Sequence, residues 1–189
     1  MQNILIVNAH EYHDIAKGDY TRALVKTAQN YFEAHNKIVK NTVLQDGFNG
    51  DEEIEKLLWA DLVIFQFPKY WMHIPALFKK YLDHGLTNSA YGKLYAHDGR
   101  NDGGAYGTGG LMQGKKYMFS ITMNAPSEAF DDDKAFFEGK SVDDLFFPLH
   151  KTFQFLGYTP LETFVCHDIM GNPKLHDDLT RLEKHLKSL

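Results

Sequence analysis

The sequence predicts an α/β fold, a doubly wound five-stranded parallel sheet in the strand order 2-1-3-4-5. Three observations carry this. Ile4-Leu5-Ile6-Val7 and Leu62-Val63-Ile64-Phe65-Gln66-Phe67 are almost wholly apolar, as central parallel strands are when helices cover both faces of their sheet. Strands alternate with helical stretches of roughly ten or more residues, so the connections are right-handed crossovers. Ile38 to Leu44 is more polar and belongs at an edge.

The elements follow in order. After the first strand a polar loop, 8–20, leads into a helix from Thr21 to His35, whose apolar Ala23, Leu24, Ala28, Tyr31 and Phe32 recur at helical spacing. The second strand is followed by a helix from Asp51 to Trp59, with an acidic first turn that suits its dipole. The third strand stops at Pro68 and gives way to an aromatic loop. A helix with Pro75 in its first turn then runs to His84. Residues 85–114 are irregular, and the stretch 99–114 holds seven of the fifteen glycines. Lys116 to Ile121 is the fourth strand. Ser141 to Leu156 reads as a helix bent near Pro148, Leu161 to Val165 as the fifth strand, and Leu175 to Leu189 as the last helix.

At 189 residues the chain is expected to form one domain, 1–189, without repeats or linkers. A formal charge of −5 argues against nucleic acid as a partner. No apolar run approaches the roughly 20 residues that span a bilayer, and the N-terminus has no basic leader. The single cysteine, Cys166, excludes an internal disulfide and fits a reducing compartment. A cytoplasmic location away from membranes is expected.

In this strand order the loops after strands one, three and four (8–20, 68–74 and 122–128) converge on one sheet edge, where such folds bind ligands. The first loop ends at a helix N-terminus, which favours anions. Lys17, Gly18, Asp19, Tyr20 and Thr21 there are placed to wrap a phosphate. Tyr70, Trp71 and Met72, set between two prolines, suit a flat ring. Thr122, Met123, Asn124 and Ala125 offer a hydroxyl and backbone donors to an electron-rich ring edge.

Other signals fail. His10-Glu11-Tyr12-His13 lacks the histidine spacing of a zinc protease. Gly107-Thr108-Gly109-Gly110 does not follow a strand, and Asp131-Asp132-Asp133 reads as a solvated acidic turn. No metal site is legible, and Cys166 reads as a buried inert thiol.

At the three loops the chain resembles the flavodoxin-like NAD(P)H:quinone oxidoreductases. The resemblance covers nearly all of it and rests on Phe67 to Pro75, Tyr106 to Met118, Asn124 to Phe130, and Phe147 to Lys151 with Gln154 to Gly157. It implies FAD in preference to FMN, NAD(P)H as co-substrate, a quinone or similar flat acceptor, and a homodimer. Carried over by position, Pro68, Lys69, Tyr70, Trp71 and Met72 line the flavin ring, and Thr122 to Ala125 contact its polar edge. His10 and the turn Lys17–Thr21 hold the pyrophosphate, and the 99–114 segment forms a dimer contact or pocket wall.

Lys69 and His73 depart from the family, replacing an apolar residue and a glycine. The Tyr and His that relay a proton in some relatives have no counterpart between Ala125 and Leu149, which leaves His150 or water. The implied reaction is a ping-pong hydride transfer, with Tyr70, Trp71 and Thr122 as the catalytic set. Azo- or nitro-reduction and a flavin-bound regulatory subunit of a transporter are the alternatives. A one-electron flavodoxin and a phosphorelay receiver lack their required loops here.

Overall fold

The structure, a computed structural model, describes residues 1–189. Strands β1 (Asn3–Asn8), β2 (Ile38–Val43), β3 (Leu62–Pro68) and β4 (Lys116–Thr122) form a parallel sheet in the order β2-β1-β3-β4. The expected fifth strand is two short pieces, β5 (Thr159–Pro160) and β6 (Phe164–Cys166), both parallel to β4. Pro160 has no N–H to donate, which suits an edge and interrupts the ladder there. The predicted order holds, with its last strand split.

The helices are α1 (Asp19–Ala34), α2 (Gly50–Trp59), α3 (Ala76–Lys80, continued by a π-helical turn Tyr81–Leu86), α4 (Val142–Leu145), α5 (Phe147–Phe155) and α6 (Leu175–Lys187). The helix expected to bend near Pro148 is two, α4 and α5, parted at Phe146. Pro148 lies in the first turn of α5, where its missing N–H leaves nothing unpaired.

Alternate residues of each strand feed opposite sheet faces. Ile4, Ile6, Ile64 and Met118 pack under Leu24 of α1 and Leu182 of α6. Leu5, Val7, Phe65, Phe67 and Phe119 pack under Ile54, Phe78 and Phe153. On the α1/α6 face the apolar pattern ends in a polar row toward the strands' carboxyl ends, where Asn8, Gln66 and Ser120 are register neighbours.

Two features fix the flanking helices. Glu53 of α2 is buried, and its carboxylate accepts hydrogen bonds from the Thr42 hydroxyl (2.9 Å), the Lys56 ammonium (2.5 Å) and the Tyr81 hydroxyl (3.3 Å). These bonds tie α2, β2 and the extension of α3 together. In the glycine-rich segment a Cβ on Gly110 would lie 2.2 Å from the carbonyl carbon of Leu156, so only glycine fits against the end of α5. No helix is long and apolar enough to cross a membrane.

Candidate active site

The loops after β1 and β3 each close on a two-residue hairpin. His13 and Ala16 exchange backbone hydrogen bonds of 3.2 and 2.8 Å, and Tyr70 and His73 exchange two of 3.0 Å. At the tip of the second hairpin Trp71 has a φ of 54° and is 91 % exposed. An L-residue held left-handed costs about 1–2 kcal/mol, and this one presents a large ring to solvent.

Tyr70 joins the two hairpins. Its hydroxyl donates to the Glu11 carbonyl (2.6 Å) and lies 3.2 Å from His10 Nε2, while its ring meets that of His13 at 4.9 Å. Burial first, and then the Glu11 charge, push the phenol up to about 12. The Glu11 carboxylate accepts the Leu77 N–H (2.9 Å) at the start of α3, so the first loop also caps the helix after the second. Tyr70 therefore sets the distance between the loops, and the exposed surface is left to Trp71 and Met72.

His10 is buried, and its Nε2 lies 3.0 Å from the Ala16 carbonyl. That contact requires Nε2 to carry the proton, which leaves Nδ1 as an acceptor in the neutral ring. Burial, the main cause, lowers its pKa. The ring faces Gly18, whose φ of 82° starts α1 without any side-chain cap. The first N–H groups of this 16-residue helix have no side-chain cap, and beside them Lys17, Gly18 and Arg22 line a cleft of about 500 Å³ that continues to Asn41 and Gln45. Donors, dipole and cations there suit a phosphate. Arg22 bonds to the Lys17 carbonyl (2.7 Å) and to Asp19, which stiffens the turn.

At the end of β4 the structure sorts the expected donors. The Met123 N–H is taken by the Cys166 carbonyl (2.9 Å), and the Asn124 side chain accepts from Met170 and Gly171 (3.1 and 3.2 Å). The Asn124 and Ala125 N–H groups make no backbone hydrogen bond, nor do those of Trp71 and Met72. These four are backbone donors that this edge leaves open to a ligand. Thr122 is fully buried with no partner for its hydroxyl, on the sheet face that carries α1. Thr21 is buried in the first turn of α1. Tyr20 turns away and donates to Asp178 of α6, so it serves helix packing rather than the phosphate turn.

The model of the family described by the flavodoxin-like fold matches residues 2–189. The chain belongs to the flavodoxin-like family. NADPH:quinone oxidoreductase MdaB of Haemophilus influenzae is 45 % identical over 190 residues, 99 % of this chain and 98 % of that one. The resemblance to flavodoxin-like NAD(P)H:quinone oxidoreductases therefore holds along the whole chain, and the protein is an oxidoreductase of that kind. A Klebsiella pneumoniae structure described as a candidate quinone reductase superposes with a TM-score of 0.80 at 22 % identity, covering 100 % of this chain and 85 % of that one. General stress protein 14 of Treponema denticola, solved in complex with FMN, gives 0.71 at 19 % identity, covering 100 % and 97 %. These two likenesses speak for the flavodoxin-like fold.

Three residues that the structure brings to this edge of the sheet were not legible in the sequence. Glu11 acts on residues about 60 positions away, which no local pattern reveals. Arg22 lies one turn into a helix. Phe136 is 73 % exposed and packs edge-on against Phe137, whose ring lies under the Lys69 ammonium. His150 lies in the core, with Nδ1 2.7 Å from the Tyr117 hydroxyl and Nε2 3.2 Å from Asp143. It is spoken for by those two groups.

Proposed function

We propose that this single domain is an FAD-dependent NADPH:quinone oxidoreductase that works by ping-pong hydride transfer, as a cytoplasmic homodimer. The observation that carries it is the join made by Tyr70, which sets an open phosphate turn and an exposed Trp at one sheet edge. The similarity to MdaB, whose name states its donor and acceptor, supports the same reading. The cleft running past Gly18 to Asn41 and Gln45 gives room for the second half of a dinucleotide, which favours FAD over FMN. Tyr106, Tyr91 and Leu111 are exposed around the glycine-rich segment, and this apolar surface suits a subunit contact.

When bound, the flavin supplies the two-electron hydride chemistry. The protein's part is placement. Gly18, Lys17 and the start of α1 hold phosphate, with Arg22 bracing the turn. The unpaired N–H groups of Trp71, Met72, Asn124 and Ala125 would donate to a ring edge that gains negative charge on reduction. Trp71 and Met72 give nicotinamide and quinone one shared flat surface, so one must leave before the other enters.

The test is the absorption spectrum of the purified protein, with the released cofactor identified by mass. A flavin spectrum bleached by NADPH and restored by a soluble quinone is expected, with parallel lines in double-reciprocal plots. A protein that is colourless and takes up no added FAD would overturn the reading.

Trp71→Gly separates placement from folding. Glycine accepts the left-handed φ but adds chain entropy to the unfolded state, so stability should stay within about 1 kcal/mol. Loss of the ring should weaken flavin or acceptor binding about tenfold, some 1.4 kcal/mol. Flavin titration alongside thermal unfolding checks both. Unchanged binding of flavin and of quinone would remove Trp71 from the site.

A further inference from the structure

Lys69 is the one lysine at the aromatic edge of the site. Its N–H donates to the Thr122 carbonyl (2.7 Å), so its side chain starts from a root fixed between β3 and β4. Its ammonium lies 3.6 Å from the Met72 sulfur and 5.4 Å from the centre of the Phe137 ring. Lys56, Lys79 and Lys93 all pair with carboxylates. Lys69 pairs with none, although it is half-buried. A charge kept out of water between a thioether and a ring is costly without a counter-charge. Desolvation accordingly lowers its pKa. Beside it, Trp71, Met72 and Phe136 expose flat apolar surface. A cation flanked by such surface complements a flat ring that bears a negative oxygen.

We propose that Lys69 determines acceptor specificity, favouring flat aromatic acceptors that carry an ionised ring oxygen, such as a hydroxynaphthoquinone in its enolate form. This rests on the quinone-reductase reading and names the acceptor class within it. The balance of the step gives the cation a second use. NADPH is oxidised to NADP⁺ as hydride leaves it, and the enolate acceptor, which already bears one negative charge, becomes a dianion on receiving that hydride. A proton from water, which leaves hydroxide, then gives the hydroquinone with a single ionised oxygen. The ammonium faces negative charge on the acceptor before transfer and on the product after it.

The experiment compares the holoenzyme with its Lys69→Met and Lys69→Arg variants. The substrates are 2-hydroxy-1,4-naphthoquinone, ionised at neutral pH, and neutral 2-methyl-1,4-naphthoquinone. The readout is the ratio of kcat/KM for the two quinones, so any loss common to both cancels. Lys69→Met should lower the ratio about fivefold to tenfold, mainly through KM, and Lys69→Arg should restore most of it. Binding of each quinone without NADPH, followed by tryptophan fluorescence, should show the same ranking. An unchanged ratio in Lys69→Met, or a binding preference insensitive to it, would overturn the proposal. If neither quinone is turned over by the unaltered enzyme, the reductase reading fails, and the binding ratio still decides the role of Lys69.

Discussion

Alanine at Gly18 is expected to cost the protein most of its flavin. Gly18 holds a φ of 82°, and a Cβ there would lie 2.8 Å from His10 Cε1. His10 has little room to retreat, because its Nε2 is engaged by the Ala16 carbonyl at 3.0 Å and stands 3.2 Å from the Tyr70 hydroxyl. The left-handed backbone alone costs an L-residue about 1–2 kcal/mol. The rest of the strain must come from moving the His10 ring or opening the turn. Either change misplaces the N–H groups at the start of α1. Flavin affinity should fall by about tenfold or more, with a drop in Tm of roughly 2–8 °C. Gly18→Ala protein that keeps full flavin content would show that the phosphate does not sit in this turn.

The largest loss of stability is expected from Glu53→Ala. The carboxylate is about 1 % exposed and engages Thr42, Lys56 and Tyr81 from three different elements. Its removal leaves a half-buried ammonium and two buried hydroxyls to find new partners, and leaves a hole in the packing. Truncating one side of a buried pair of this kind costs about 3–5 kcal/mol, which corresponds to a fall in Tm of roughly 10 °C for a chain of this size. Glu53→Gln should lose less, since the amide oxygen still accepts from Thr42. Denaturant unfolding of the three proteins gives the order directly. A Glu53→Ala variant within 1 kcal/mol of the parent would mean that the network is solvated in solution.

The central strands could be read from sequence because burial on both faces leaves Ile4 to Val7 of β1 and Leu62 to Phe67 of β3 almost wholly apolar. Loop convergence followed from strand order alone. The fifth strand was harder. Its two pieces bond only at Lys116–Tyr117 and Ser120–Thr122 of β4, and such sparse edge pairing leaves little periodicity to find. In the site, residue types were legible but hydrogen-bond assignments were not. Met123 looked like a free donor, yet its N–H is spent on a strand 43 residues further along. Tyr20 stood beside the phosphate turn, yet helical rotation carries it to Asp178. The partners that decide both cases come from β6 and α6, which no local window contains. Glu11 escaped notice for the same reason.

Cys166 gives the chain's chemistry a further consequence. Its sulfur is fully buried on the α1/α6 face, and burial, then the Asp178 charge, push its pKa well up. At neutral pH it is a thiol rather than a thiolate nucleophile. Quinones are electrophiles as well as oxidants, and they add covalently to accessible thiolates. A catalyst that meets them at every turnover survives by offering them no thiolate to attack. With its one thiol sealed beneath two helices, this protein can be exposed to reactive acceptors without being consumed by them.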